Sequence, residues 1–150
     1  MRVVLDTNIL LSALINAHGT PAQLVMAWRA RRFVLVSSKD QLLELGESAR
    51  RPALRTRIVA ATVGHFIRDL RKFSELLTRL PAVDRSTDPA DNFLLAMAAI
   101  GKADYLVSGD RGGVLALKKH GSTPIVPAIK FLEVLGLKPN VAGKPSPRLK

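Results

Sequence analysis

The sequence predicts a single α/β domain over residues 1–137, built on a central, mainly parallel sheet flanked by helices. Three observations predict it. Short stretches with strand content, at residues 2–5, 33–36, 104–108 and 124–127, alternate with longer segments of helical period, the pattern of strands joined by helical crossovers. Residues 93–100 form an unbroken apolar run, the mark of a helix buried on nearly all sides. An acid stands just beyond two of the strands: Asp6 directly after Leu5, and Asp110 after Ser108 and Gly109.

Residues 2–5, Arg-Val-Val-Leu, are apolar enough for a central strand. Thr7 and Asn8 lead from Asp6 into the apolar segment 9–15, the first helix, with Asn8 a possible cap. Residues 16–21 are a loop, and Thr20-Pro21 opens a second helix that closes on Arg29, Arg31 and Arg32, cations suited to a helix C-terminus. The second strand is 33–36. Ser37 or Ser38 then caps a helix over 39–50, with Gln41 three residues after Ser38 as in a capping box.

On that helix Leu42, Leu45 and Ala49 mark the core stripe, while Glu44, Glu47, Ser48 and Arg51 share the polar face. Periodicity alone makes Glu44 a solvated residue, although a polar face can also line a wet cleft. Pro52 interrupts the helix, and Arg50, Arg51, Arg55 and Arg57 surround the break as candidates for phosphate contacts. Val63, Phe66, Ile67, Leu70, Phe73, Leu77 and Leu80 give a long amphipathic helix over 62–80. A short extended piece over 82–85 follows.

Asp88 is a good N-cap, Pro89 suits the first helical position, and Asp91 falls at N3, where the helix dipole favours negative charge. Gly101 ends that buried helix. The strand at 104–108 comes next, then a short helix over 114–119, a final strand at 124–127 and a last helix over 128–135 stopped by Gly136. Residues 138–150, with Pro139, Pro145 and Pro147, read as a flexible basic tail. Trp28 and Tyr105 read as core, and His18, His65 and His120 as ordinary residues with neither zinc spacing nor a nucleophile beside them.

If the strands before Asp6 and Asp110 share one parallel sheet, both acids reach one edge, where ligands of open α/β sheets bind. Carboxylates packed closely repel unless a cation lies between them. The surface charge has the opposite sign: 23 Lys and Arg against 12 Asp and Glu, net +11, a balance that attracts polyanions and nucleic acid first among them. With no cysteine there is neither a disulfide framework nor a thiolate zinc site. The apolar runs fall far short of the ~20 residues a membrane span needs, and the chain begins almost directly on a strand, so a cytoplasmic protein with no membrane partner is expected.

Asp6-Thr-Asn8, the DPADN segment at 88–92 and ADYLVSGDRGGVLAL at 103–117 together resemble the PIN-domain family, in particular its VapC-like toxin branch; the resemblance runs from Arg2 to about Leu135. It implies a compact α/β fold, a metal-dependent ribonuclease, and an acid set that falls here on Asp6, Glu44, Asp91 and Asp110, with Glu47 the alternative to Glu44. Many relatives carry a further acid after the last of these, where this chain has Gly112-Gly113. It also implies a homodimer and a small antitoxin as partner.

A site of carboxylates favours the hard cations Mg²⁺ or Mn²⁺. Asp6 and Asp110 are expected to hold the principal ion, with Glu44 and Asp91 completing its shell or holding a second, and Asn8 and Ser108 orienting ligands or substrate. The resemblance implies RNA as the substrate. Three other readings compete: a phosphatase with an aspartyl nucleophile, which usually has an acid where Asn8 stands; a non-catalytic module binding RNA or a partner; and a housekeeping RNA-processing nuclease.

Overall fold

In chain order the elements are β1 (Arg2–Leu5), α1 (Thr7–Ile15), α2 (Thr20–Arg29), β2 (Val34–Ser38), α3 (Lys39–Ala49), α4 (Pro52–Arg55), α5 (Ala60–Phe73), β3 (Glu75–Leu77), α6 (Pro89–Ile100), β4 (Tyr105–Val107), a 3₁₀ turn (Val114–Leu117), β5 (Lys119–His120), β6 (Thr123–Val126) and α7 (Ala128–Val134). They come from a computed structural model that describes residues 1–83, 85, 89–109 and 113–140, with 89 and 90 described by backbone alone. Asp88 and Asp110 lie outside the described residues, as do residues 141–150.

The strands form one sheet in the order β3-β2-β1-β4-β6-β5, parallel except for β5. β1 is paired on both sides, Val4 standing between Val36 of β2 and Leu106 of β4. Alternation divides the core into two layers, because successive strand side chains point to opposite faces. Val3, Leu5, Leu35 and Val107 pack with α1, α2, α3, α5 and α7, where Phe131 stacks edge-on against Phe33. Val4, Val36 and Leu106 face the other way, onto Leu94, Leu95, Met97 and Ala98 of α6. The helix expected to be buried over 93–100 is the main cover of the second face, but only Leu94 to Ala98 are buried; Phe93 is half-buried, and Ala99 and Ile100 are exposed. Gly101 ends it at a close approach: a Cβ there would lie 2.6 Å from Val36 Cγ1 and 2.8 Å from the Met97 carbonyl oxygen.

Several boundaries differ from the sequence expectation. The helix expected over 62–80 stops at Phe73, where Ser74 turns extended and its hydroxyl bonds the Leu70 carbonyl; Leu76 and Leu77 then pair as β3 with Ser37 and Ser38. The helix expected at 114–119 is a single 3₁₀ turn, and Lys119-His120 is an edge strand. Ser37 and Ser38 belong to β2, with Ser38 also the cap of α3. Residues 138–140 lie against α2: Gln23 Nε2 donates to the Lys138 carbonyl, and Asn140 N–H donates back to Gln23 Oε1. No single helix of the described residues is long and apolar enough to cross a membrane.

Candidate active site

Leu5 ends β1, and the next residue turns the chain into α1. Asp6 makes that turn. Its N–H extends the pairing with β4 by donating to the Val107 carbonyl at 2.8 Å, and its Oδ1 accepts from the Asn8 N–H at 3.1 Å as the helix cap. Oδ2 accepts from the Ser108 hydroxyl at 2.7 Å. The carboxylate is 5% exposed and fixed at both oxygens. Asn8, the cap suggested by the sequence, is exposed; a helix beginning at Thr7 leaves Asp6 as cap and puts Asn8 inside the first turn.

Ser108 stands just past β4, fully buried, with its own N–H donating to the Val126 carbonyl of β6. The expected acid Asp110 follows two residues later, outside the described residues.

Glu44 reaches the same edge through a buried polar chain. Ser37 Oγ donates to Gln41 Oε1 at 2.7 Å, Gln41 Nε2 donates to the Leu5 carbonyl at 2.7 Å and lies 3.5 Å from Thr7 Oγ1, and that hydroxyl donates to Glu44 Oε2 at 3.3 Å. Gln41 is wholly buried and Thr7 nearly so. The expected capping box is half present: the Gln41 N–H does bond Ser38 Oγ, but its side chain serves β1 and Thr7 instead of returning to the cap. The polar face assigned to α3 is not uniform either, since Ser48 is buried, Glu44 half-buried and Glu47 exposed.

Asp91 comes from the opposite layer. α6 runs antiparallel to the strands: Gly101 at its end accepts from Arg2 Nε at the start of β1, while Met97 Sδ accepts from Ser38 Oγ at the end of β2. Asp91 is six residues before Met97, roughly 9 Å further along the axis at helical rise, and so stands beyond the carboxyl ends of the strands. It is 5% exposed. Arg85 fastens this helix start to the sheet margin, its N–H bonding Asn92 Oδ1 and its Nη1 donating to the Lys119 carbonyl and to His120 Nδ1. Burial first, and the Arg85 charge second, push the His120 imidazole below its ordinary value.

The sheet edge thus collects Asp6, Glu44 and Asp91 with Thr7, Gln41 and Ser108. Every side-chain donor here is oxygen or amide, and buried carboxylates are the ligands hard divalent ions take. Among the described residues no three acids, histidines or cysteines converge closely enough to hold an ion, a set from which Asp110 is missing. Gln41 and Thr7 were not assigned a site role from sequence. Gln41 lies one helical turn before Glu44, and Thr7 directly follows Asp6, the signal that could have found them.

The four arginines around the helix break are all exposed. Arg50 and Arg55 rim a groove between α3 and α5 floored by Gly46 and Ile67.

A family model described as PIN domain matches residues 2–112. No curated protein matches the chain. Among solved structures, the crystal structure of PAE2754 from Pyrobaculum aerophilum is similar, with a TM-score of 0.62 at 19% identity over 91% of this chain and 90% of that one. At that identity the likeness is one of fold.

Proposed function

The chain belongs to the PIN domain family, whose members are generally nucleases, and from that premise we propose that it is a Mg²⁺- or Mn²⁺-dependent endoribonuclease, the toxin of a toxin–antitoxin pair. The observation that carries the reading is the burial of Asp6 and Asp91 at one sheet edge, approached from opposite faces, inside a chain of net charge +11. Buried carboxylates are costly unless they are bonded or hold a cation; capping α1 accounts for Asp6 alone, and the reading rests on Asp91 being brought to the same edge.

Asp6 and Asp91 would hold the ion, together with Asp110 and with Glu44 beside them. When bound, such an ion would supply Lewis acidity toward a phosphodiester and its attacking water. The protein's own contribution is position. Ser108 and the Asn8 N–H fix the Asp6 carboxylate, so it cannot swing to follow a mobile ligand. Thr7, steadied by Gln41, sets Glu44, which we take in preference to the exposed Glu47. The basic surface, Arg50, Arg51, Arg55 and Arg57 included, gathers the polyanion toward an edge that would otherwise repel it.

The test is incubation of the purified chain with a mixed RNA pool, with and without Mg²⁺ or Mn²⁺. Cleavage that appears with metal and stops on chelation is the expected result, and cleavage surviving thorough chelation rejects the mechanism. A toxin should in addition be a homodimer, arrest growth on expression, and be relieved by a small antitoxin protein. Harmless expression of an active enzyme would make it a housekeeping nuclease.

A further inference from the structure

The opposite edge of the sheet carries a second surface that the proposed reaction does not use. Where α2 gives way to β2 and α5 ends, Arg29, Arg31, Arg32 and Lys72 surround an open groove of about 670 Å³ lined also by Phe73 and Val34. Two of these cations have structural duties. Arg29 lies 5.6 Å from the Trp28 ring centre and pairs with Asp69, and Arg32 Nη2 donates to the Leu135 carbonyl. Arg31 and Lys72 are exposed and enter no salt bridge among the described residues.

Arg31 adopts a left-handed backbone (φ 61), an unfavourable conformation for a side chain of its kind, and one that ends the α2 turn with the guanidinium outside. Phe73 is 60% exposed although helical period assigns it to the core stripe of α5, and Lys72 Nζ lies 5.4 Å from its ring centre. An exposed ring among cations is the composition of a base-stacking platform inside an electrostatic funnel. A second copy of this chain would bring four like charges against four. The groove also exposes Met1 and Val34 beside Phe73, so an acidic amphipathic helix is the rival occupant, and the dependence on Phe73 tested below separates the two.

We propose that this groove is an exosite for single-stranded RNA, in which a base stacks on Phe73 and flanking phosphates meet Arg31 and Lys72. It rests on the reading of the chain as an RNA-directed enzyme. The groove and the acids lie at opposite ends of β1, a buried strand of four residues spanning roughly 13 Å, so an RNA that engages both must run over the outer surface around the covering helices.

The experiment measures binding of a labelled mixed-sequence RNA to the full chain by fluorescence anisotropy in EDTA, which separates the exosite from any failure to cut. Arg31→Glu/Lys72→Glu should weaken binding at least tenfold and flatten the dependence of log affinity on log salt by about 1.4, two single-strand phosphates' worth. The control Arg68→Glu/Lys130→Glu removes the same charge from exposed positions outside the groove and should cost under threefold. Phe73→Ala should weaken binding about fivefold or more, with Phe73→Trp restoring it. Equal losses from the two charge reversals, or no loss from Phe73→Ala, overturn the exosite. So does displacement of the RNA by polyglutamate without any Phe73 dependence, which would assign the groove to an acidic protein.

Discussion

Ser108 donates its hydroxyl hydrogen to Asp6 Oδ2 at 2.7 Å across 102 residues of sequence. The bond joins the residues that follow two neighbouring parallel strands, so the orientation of the first acid is set by the end of β4. Ser108→Ala removes a fully buried donor to a charged acceptor, an interaction worth about 1.5–3 kcal/mol. Urea denaturation should show a loss of that size, and cleavage should fall further than the stability change alone would cause. Unchanged cleavage would mean that Asp6 does not need to be held.

Asp91→Asn keeps the size of the side chain and removes a hard-cation ligand. Cleavage should be largely lost, and metal binding by calorimetry should weaken. Without metal the melting temperature should hold or rise, because the change relieves repulsion among the acids against a dipole contribution of ~0.3–1 kcal/mol, while the amide oxygen of Asn can still accept a hydrogen bond. Early melting together with retained cleavage would make Asp91 a structural residue.

Gln41→Leu fills the same space without the amide. The Leu5 carbonyl loses its side-chain donor and Ser37 Oγ its acceptor, each loss costing roughly 1–3 kcal/mol in a buried position. The variant should melt well below the parent, and Glu44, no longer steadied through Thr7, should support less cleavage at equal folded fraction. A stable, fully active Gln41→Leu protein would remove the polar chain from the site.

His120 supplies a pH dependence. Its imidazole titrates below the ordinary 6.5 in the folded chain, so between these two values the unfolded state takes up a proton that the folded state refuses. Stability is therefore present above about pH 6.5 and is lost as the pH falls toward the folded value. Protonation also removes the Nδ1 acceptor of Arg85, the residue bonded to Asn92 at the start of α6. Urea midpoints measured near pH 7.5 and near pH 5.5 should differ, and His120→Gln should shrink the difference. An identical pH slope in that variant would assign the effect to other groups.

The sheet and the strand-end position of Asp6 were legible because β1 and β4 are short, apolar and followed at once by polar residues. The helix at 93–100 was legible because few folds bury such a run any other way. Elsewhere local pattern and tertiary pairing diverged. Phe73, Leu77 and Leu80 continue a helical period from Leu70, and only the pairing of β3 with β2 breaks it. Lys119-His120 has no apolar signal, since an edge strand of two residues buries too little to need one. Glu44 looks solvated on α3 because periodicity cannot distinguish bulk water from a cleft, and the Thr7 contact that separates it from Glu47 spans 37 residues. The cap of α1 is ambiguous for a related reason: Asp is as good a cap as Asn, an acid directly after a strand suits a cap or a ligand, and Asp6 stands in both places.

The central place of β1 has a consequence for the order in which the protein comes to exist. β1 is made before both of its partners, and one of them, β4, is made about a hundred residues later and needs β6 after it. Contacts so distant in sequence form slowly, after the intervening loops have closed. A nascent chain stopped before β4 has Asp6 without Ser108, and one stopped before β6 has Ser108 without the Val126 carbonyl that anchors it. The acid edge is thus completed only after β6 has emerged, roughly 120 residues after β1, so Asp6 takes its final bonded orientation late in the making of this domain.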